Sequence, residues 1–502
     1  MIPRPYIIYS KGGSNMPDNN RDKTNKDNNK ESKPKYLSAP GAKSEPFDPF
    51  ALRKKVANSL QVERWFRQMS QSELAESLGT SKSNISRIES GRQNLTVDYV
   101  AMMAEALDKQ VEFRISDKVV EYGDSSEYWL KLYDENLMKF RLENTEFSLK
   151  AEILWVNEEK RHLFPLDLEL AGDGVIRWLS HRIIPRNREM VDKILDSLGL
   201  DINSLKGIID ICMGLSLNDS YWTPQVEFDG TFEEYNLYEN SFNSALSLVA
   251  YTGYSATIDK FRTSPELTTN GMLRKAWSFS SSEGIYLYKG GTEGFANAGN
   301  EPYCEFYASQ IAKAMGLHAI EYDLVNWHGI VSSKCKLFTD IDTSYVPIGR
   351  VVKKSDIDSC IDFYKELGDS FYQELASMLV FDAVILNEDR HFGNFGLLRD
   401  NHSGEFISPA PIFDNGLSLL CYGMKSDFGN ELDVYIKKRT NPYGYKHEFI
   451  SLARSVMGPL QRKQLRKLIG FKFEENDYAN FPSWRIKVLE DMIQKQVAEL
   501  LK

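Results

Sequence analysis

Residues 382–420 read DAVILNEDRHFGNFGLLRDNHSGEFISPAPIFDNGLSLL, and the rest of the chain is interpreted outward from them. An apolar run, Met378 to Leu386, ends in Asn387-Glu388-Asp389-Arg390-His391, and Asn394 follows Asp389 by five positions. A second apolar run, Ala410 to Phe413, delivers Asp414-Asn415-Gly416. Phosphoryl transfer needs one carboxylate to orient the acceptor hydroxyl and an amide five residues on to hold a metal. It also needs a second carboxylate that keeps Mg²⁺ against the phosphates of ATP. Asp389, Asn394 and Asp414 fit those roles in that order. Ordinary turns also use Asp, Asn and Gly. Acids, an amide and a His gathered this densely behind buried-looking segments point to a site instead.

The same residues resemble the catalytic core of HipA-like serine/threonine kinases, the toxin components of bacterial persistence modules. In that family the segment reads much like N-E-D-R-H-x-x-N, followed by an isolated metal-binding Asp. Asn387, Asp389, His391, Asn394 and Asp414 stand at the matching places. The resemblance implies ATP and Mg²⁺ as cofactors and a protein substrate bearing Ser or Thr. Asp389 and His391 are the catalytic candidates, with His391 expected to brace the loop by a hydrogen bond.

Upstream lie the other parts such a site requires. GIYLYKGG (284–291) alternates as a strand and ends in Lys289, the candidate for the α- and β-phosphates of ATP, with Lys275 as the alternative. EPYCEFYASQIAKAMGL (301–317) has helical spacing. Glu301 or Glu305 could pair with Lys289, and Glu305, within the helix proper, is the expected partner, although a solvated surface acid would look the same. Thr268-Thr269-Asn270-Gly271 makes a turn whose backbone amides could cradle phosphates, with Thr269, Asn270 and Gly271 as nucleotide-binding candidates. With one Gly it is no Walker loop. In HipA-like kinases a phosphorylated Ser/Thr in the corresponding loop switches the enzyme off, which makes Thr268 and Thr269, with Ser264, the autophosphorylation candidates. Tyr322–Trp327 and Val331–Thr339 predict a strand pair through Gly329, after which the chain becomes mainly helical.

Toward the N-terminus the texture changes. From Asp48 to Lys109 the spacing predicts four short amphipathic helices, the first over Leu52–Met69. Ser70-Gln71-Ser72-Glu73 is a capping box for the second, which Gly79 ends. Thr80 or Ser81 caps the third, SKSNISRIESGR, and Thr96 opens the fourth. The run QSELAESLGTSKSNISRIESGRQNLTVDYVAMMAEAL (71–107) resembles the XRE/lambda-repressor-like family at Gln71, Ala75, Gly79, Ile85, Ser86, Ile88, Glu89 and Gly91. The resemblance implies that Ser81, Lys82, Asn84 and Arg87 face DNA, that Gln71 steadies a backbone contact, and that a homodimer sits on an operator. A four-helix protein-interaction module is the competing interpretation. Nine Lys/Arg against seven Asp/Glu between Leu52 and Lys109 make this a mildly basic stretch on an acidic chain.

Between these parts, Val111–Ile115, Trp129–Leu132, Phe147–Val156 and Leu163–Leu170 have strand character. WLSHRIIPRNREMVDKILDSLGL (178–200) predicts helix around a proline break, and no residue of this region carries chemistry by itself. Residues 1–47 hold few large apolar side chains after Tyr9 and are expected to be disordered, with Met1 or Met16 as the start.

Composition sets the bounds. A chain of 502 residues should hold several folding units. A net charge of −10 argues against general coating of nucleic acid and confines any DNA contact to a local patch. Five scattered cysteines form no CxxC pair and read as reduced core thiols of a cytoplasmic protein. No apolar run of membrane-spanning length occurs. The expected fold is α+β and multidomain, an all-α helix-turn-helix domain followed by a two-lobed, protein-kinase-like HipA fold. The expected parts are a tail (1–47), the helix-turn-helix (48–110), an N-terminal subdomain and connector (111–263), a small lobe (264–350) and a helical large lobe (351–502). Function follows as a Ser/Thr kinase fused to a DNA-binding domain, a toxin–antitoxin-type regulator of growth or persistence that also controls its own transcription. A catalytically weak nucleotide sensor and a small-molecule or lipid kinase remain open.

Overall fold

The computed structural model describes residues 69–107, 109, 111, 125–145, 148–201, 204–253, 264–293, 297–354, 356–428, 432–439 and 441–502, with scattered positions before 69. The expectations for the tail and for most of Val111–Ile115 and Leu52–Met69 lie outside the described residues. The chain forms two compact units, residues 1–118 and 119–502.

In the first unit, helices α1 (Gln71–Ser77), α2 (Lys82–Glu89) and α3 (Val97–Ala106) enclose Leu74, Ile85, Ile88, Val100, Met103 and Leu107. The sequence dictates where each begins. Ser70 accepts from the Glu73 amide while Glu73 accepts from the Ser70 amide, and Ser81 and Thr96 cap α2 and α3 by accepting from Asn84 and Tyr99. Gly79 turns the chain between α1 and α2 at φ +61°, where a Cβ would be strained.

The second unit opens with an antiparallel sheet ordered β3-β2-β1-β4: β1 (Ser125–Leu132), β2 (Glu135–Asn144), β3 (Leu149–Val156) and β4 (Tyr221–Trp222). One face is buried with α4 (Gly172–Ser180), α5 (Val191–Ser197) and α6 (Leu205–Cys212). The strand expected over Leu163–Leu170 does not form. Pro165 has no amide to give to a ladder, and the amides of Leu168 and Ala171 donate locally to Pro165 and Glu169. Helix α7 (Ser244–Thr252) completes this part.

A second antiparallel sheet, ordered β5-β6-β8-β7, follows: β5 (Lys275–Ser280), β6 (Gly284–Gly290), β7 (Tyr322–Trp327) and β8 (Ile330–Lys336). Helix α8 (Glu301–Met315) packs against β7 and β8. The rest is built around α10 (Asp369–Ile385), whose residues from Leu375 to Ile385 are all buried. Each large apolar side chain there contributes about 1.5–3 kcal/mol by leaving water, enough to hold Asp382 in the same helix out of solvent. Around it stand α9 (Ile357–Leu367), α12 (Phe449–Val456), α13 (Pro459–Arg466) and α14 (Ser483–Leu501), with α11 (Leu432–Arg439) between. A three-stranded sheet also lies in this region, β11-β10-β9: β9 (Thr343–Pro347), β10 (Gly396–Asp400) and β11 (Phe406–Pro409). Its strands are too short for alternation to announce them. The β10–β11 hairpin separates Asn394 from Asp414.

Among the described residues, no helix is long and apolar enough to cross a membrane. All five cysteines are buried, and none forms a disulfide.

Candidate active site

Helix α10 stops at Leu386, which takes a left-handed conformation (φ 52°), and the Asn387 amide donates back to the Asp382 carbonyl. The loop that follows is bolted down by Arg390, 1% exposed. Its Nε and Nη2 donate to the two Asp382 carboxylate oxygens at 2.9 Å each. Nη1 reaches the carbonyls of Asn394 (3.1 Å) and Phe413 (2.6 Å), and Nη2 also reaches Asn415 Oδ1 (2.5 Å). One guanidinium thus fixes the loop of Asp389 to that of Asp414. A buried charge held this way is costly to leave unpaired, so loss of either partner should collapse the arrangement.

Inside this frame, Asn394 Nδ2 donates to the Asp389 carbonyl at 2.9 Å, and the Gly393 amide donates to His391 Nδ1 at 3.0 Å. His391 braces the loop. The Asp389 carboxylate meets no donor among the described residues. Burial raises its carboxyl above the ordinary range, His391 opposes that, and the nearby negative charge of Asp414 adds to it.

Asp414 occupies the left-handed region at φ 56°, with its amide donating to Tyr322 Oη at 3.2 Å. Its Oδ1 lies 2.8 Å from Lys289 Nζ, which also lies 2.7 Å from Glu305 Oε1. Sequence placed Lys289 at a strand end and Glu305 in a helix. The fold brings both to the Asp414 carboxylate. Burial opposes the charge on Lys289, but Asp414 and Glu305 outweigh it and hold the lysine above its usual value. Asp414 is likewise kept well below the carboxylate range, because Lys289 and Lys275 outweigh its burial. Burial pushes Glu305 up to about 7 against the pull of Lys289.

Lys275, the alternative phosphate lysine, is opposite Lys289 across β5 and β6. Its Nζ donates to the Asn270 carbonyl at 2.9 Å, and burial together with the charge of Lys289 pushes it down to about 7. The two lysines therefore share one site. Gly271 stands at φ +95°, and a Cβ there would come within 2.2 Å of Lys275 Nζ. The amides of Asn270, Gly271 and Met272 meet no acceptor among the described residues, which leaves them free for an anion. Thr269 Oγ1 donates to the Pro265 carbonyl (2.5 Å) and accepts from Trp277 Nε1 (2.9 Å). Thr268 is 3% exposed, and Ser264, fully buried, donates to Glu266.

Among the described residues, no group of three or more His, Cys, Asp or Glu is gathered to hold a metal. Mg²⁺ takes one or two protein ligands and fills its shell from phosphates and water. Asp414 is ionised. Asn394, with Nδ2 committed to the loop, has Oδ1 left as a ligand.

In the first unit, Glu89 is buried and accepts from Arg64 Nε (2.6 Å), Gln61 Nε2 (3.2 Å) and Gln71 Nε2 (2.8 Å). The Gln71 side chain is thus engaged inside the unit. Lys82 and Arg87 on α2 and Ser81 at its cap are exposed, as a DNA-reading face requires. Asn84 is half-buried, and its Nδ2 donates to Thr80 Oγ1 and Tyr99 Oη.

Comparison with known proteins bears on this unit directly, since residues 65–113 match the helix-turn-helix family. These residues are a helix-turn-helix domain. No curated protein matches the chain. Two solved structures resemble this chain over part of its length. One is a proinflammatory kinase, CtkA, of Helicobacter pylori, with 18% identity, 45% of this chain and 91% of that one covered, and a TM-score of 0.36. The other is a chain of the toxin–antitoxin complex of HipA, HipB and operator DNA from Shewanella oneidensis MR-1, with 13% identity, 74% and 99% covered, and a TM-score of 0.43. At those scores neither says what this chain does, and its own side chains must carry the chemistry.

Beyond the helix-turn-helix domain, the residues that sequence passed over are Asp382, Arg390 and Asn415, together with Arg188 and Glu189. The first three belong to the quoted stretch, where Asp382, a charged residue inside an apolar run, was the available signal. Arg188 and Glu189 gave none.

Proposed function

We propose that the chain is a HipA-like, ATP- and Mg²⁺-dependent Ser/Thr protein kinase of the cytoplasm, joined to an operator-binding helix-turn-helix domain. The observation that supports it most is Lys289 held between Glu305 and Asp414 in the same site as the unengaged carboxylate of Asp389. Lys289 and Lys275 would take the nucleotide phosphates, and the free amides of the 270–272 turn would add donors. Asn394 and Asp414 would hold Mg²⁺, which when bound neutralises charge developing on the transferred phosphoryl group. Asp389 would accept a hydrogen bond from the Ser or Thr hydroxyl and orient it toward the phosphorus, with His391 keeping the loop in shape. The exposed side chains of α2 would read DNA as a homodimer, so that the chain regulates growth or persistence and its own transcription.

Incubation of the purified chain with labelled ATP and Mg²⁺, alone and with cell lysate, tests the first half. Label on protein that disappears with Asp389→Asn supports the kinase. Equal labelling by both forms removes it.

A further inference from the structure

The turn ahead of β5 is gripped from a distant part of the chain. Arg188 lies between α4 and α5, is 2% exposed, and aims its guanidinium at main-chain carbonyls of this turn and of the start of β5. Nη1 donates to Glu266 (3.1 Å) and Thr269 (3.1 Å), and Nη2 to Lys275 (2.7 Å). Burial pushes Arg188 down to about 10 against the pull of the Glu266 carboxylate. Its neighbour grips the other side. The Glu189 amide donates to the Met272 carbonyl (2.7 Å), and its carboxylate accepts from the Arg274 amide (2.9 Å) and from Arg274 Nη2 (3.3 Å).

These contacts meet the backbone at residues 266, 269, 272, 274 and 275, on either side of the unengaged amides at 270–272. A guanidinium is an expensive way to satisfy three neutral carbonyls if packing alone were needed. It also sets positive charge beside Lys275.

We propose that Arg188 and Glu189 are positioning residues, a clamp that holds the 266–275 turn open to polyphosphate and so sets the affinity for the nucleotide. This rests on the kinase-site interpretation above. The clamp acts before chemistry, because a turn that need not be ordered on binding costs the nucleotide less affinity. It touches neither Asp389 nor the acceptor hydroxyl, so its loss should be felt in KM for ATP rather than in kcat.

The test uses the full chain and Mg·ATP as probe. Glu189→Ala is the first variant, since this side chain is 31% exposed and its loss need not endanger folding. Glu189→Gln keeps an acceptor for the Arg274 amide, and Arg188→Lys keeps the charge with fewer donors. Three quantities are read: Mg·ATP affinity by calorimetry, KM against kcat, and amide exchange of peptides across 264–277, with melting temperature as control. The expected result for Glu189→Ala is affinity weakened and KM raised by about tenfold, the loss of one strong polar contact, with a smaller change in kcat and faster exchange confined to the turn. Glu189→Gln should recover most of that, and Arg188→Lys should weaken affinity at nearly unchanged melting temperature. Wild-type affinity in Glu189→Ala, or weakening only in step with a lower melting temperature, overturns the clamp. A wild-type chain that binds no Mg·ATP instead overturns the kinase site, and the clamp with it.

Discussion

Asp389 and Asp414 occupy one site, yet their surroundings drive them apart. Asp414 is locked ionised by Lys289, whereas Asp389 stands without a donor and with a raised carboxyl. A metal ligand and a hydroxyl-orienting base call for this division. Asp389→Asn should therefore lower phosphoryl transfer by about 10²–10⁴-fold while Mg·ATP binding stays within a few-fold. Asp414→Asn should lose the Mg²⁺-dependent part of nucleotide binding. Transfer at wild-type rates in both would place the site elsewhere. Glu388, beside Asp389, permits a stability test. Burial pushes its carboxyl up to about 7, so the folded chain holds that proton more tightly than the unfolded chain. The stability it contributes is complete below the ordinary Glu value and is lost as pH rises toward 7. Glu388→Gln should remove that slope, and melting curves between pH 5 and pH 8 that fall equally in both forms would contradict it.

At the scale of elements, what the sequence revealed and what it hid differ in a physical way. Caps, glycine turns and apolar periodicity are local, so Ser70, Ser81, Thr96 and Gly79 marked α1 to α3 almost to the residue. Lys289 and Glu305 were legible because each belongs to a strongly patterned element. The grip of Arg188 on the 266–275 turn was not, because its partners lie 78 to 87 residues away and a backbone carbonyl leaves no trace in side-chain pattern. The short strands β9 to β11 escaped for want of length. Helix α2 carries its own prediction. Arg87 is exposed and has no structural duty for its side chain among the described contacts, whereas Glu89 anchors Arg64. Arg87→Ala should cost operator binding about 1–3 kcal/mol if it reads a guanine, at unchanged melting temperature. Glu89→Ala should destabilise the helix-turn-helix domain itself by about 3–5 kcal/mol, since it strands a buried guanidinium. A gel shift across a salt series, showing steep salt dependence and preference for upstream DNA, checks the first. Equal affinity for random sequence would refute it.

For the whole molecule, the question is whether the kinase site can act on its own chain. Ser264, Thr268 and Thr269 lie in the turn whose amides would meet the nucleotide, and they are not waiting in solvent. Ser264 is fully buried, Thr268 is 3% exposed, and Thr269 is tied between Pro265 and Trp277. A phosphate on any of them adds nearly two negative charges where the phosphates of ATP would sit. The modified turn and the nucleotide should then exclude one another, and the turn can accept the phosphate only by leaving the grip of Arg188 and Glu189. Thr269 is the best placed of the three, being half-exposed and held by side-chain contacts that a local rearrangement can break. Autophosphorylation here should therefore be slow, self-limiting and accompanied by loss of Mg·ATP affinity. Mass spectrometry of the chain expressed with Asp389 intact, beside Asp389→Asn, decides it. Phosphate within 264–269 in the first alone, with faster amide exchange across the turn, is the expected result. Phosphate in neither means that these hydroxyls serve only the turn, and phosphate in both means that the modification does not depend on Asp389 and is not autophosphorylation.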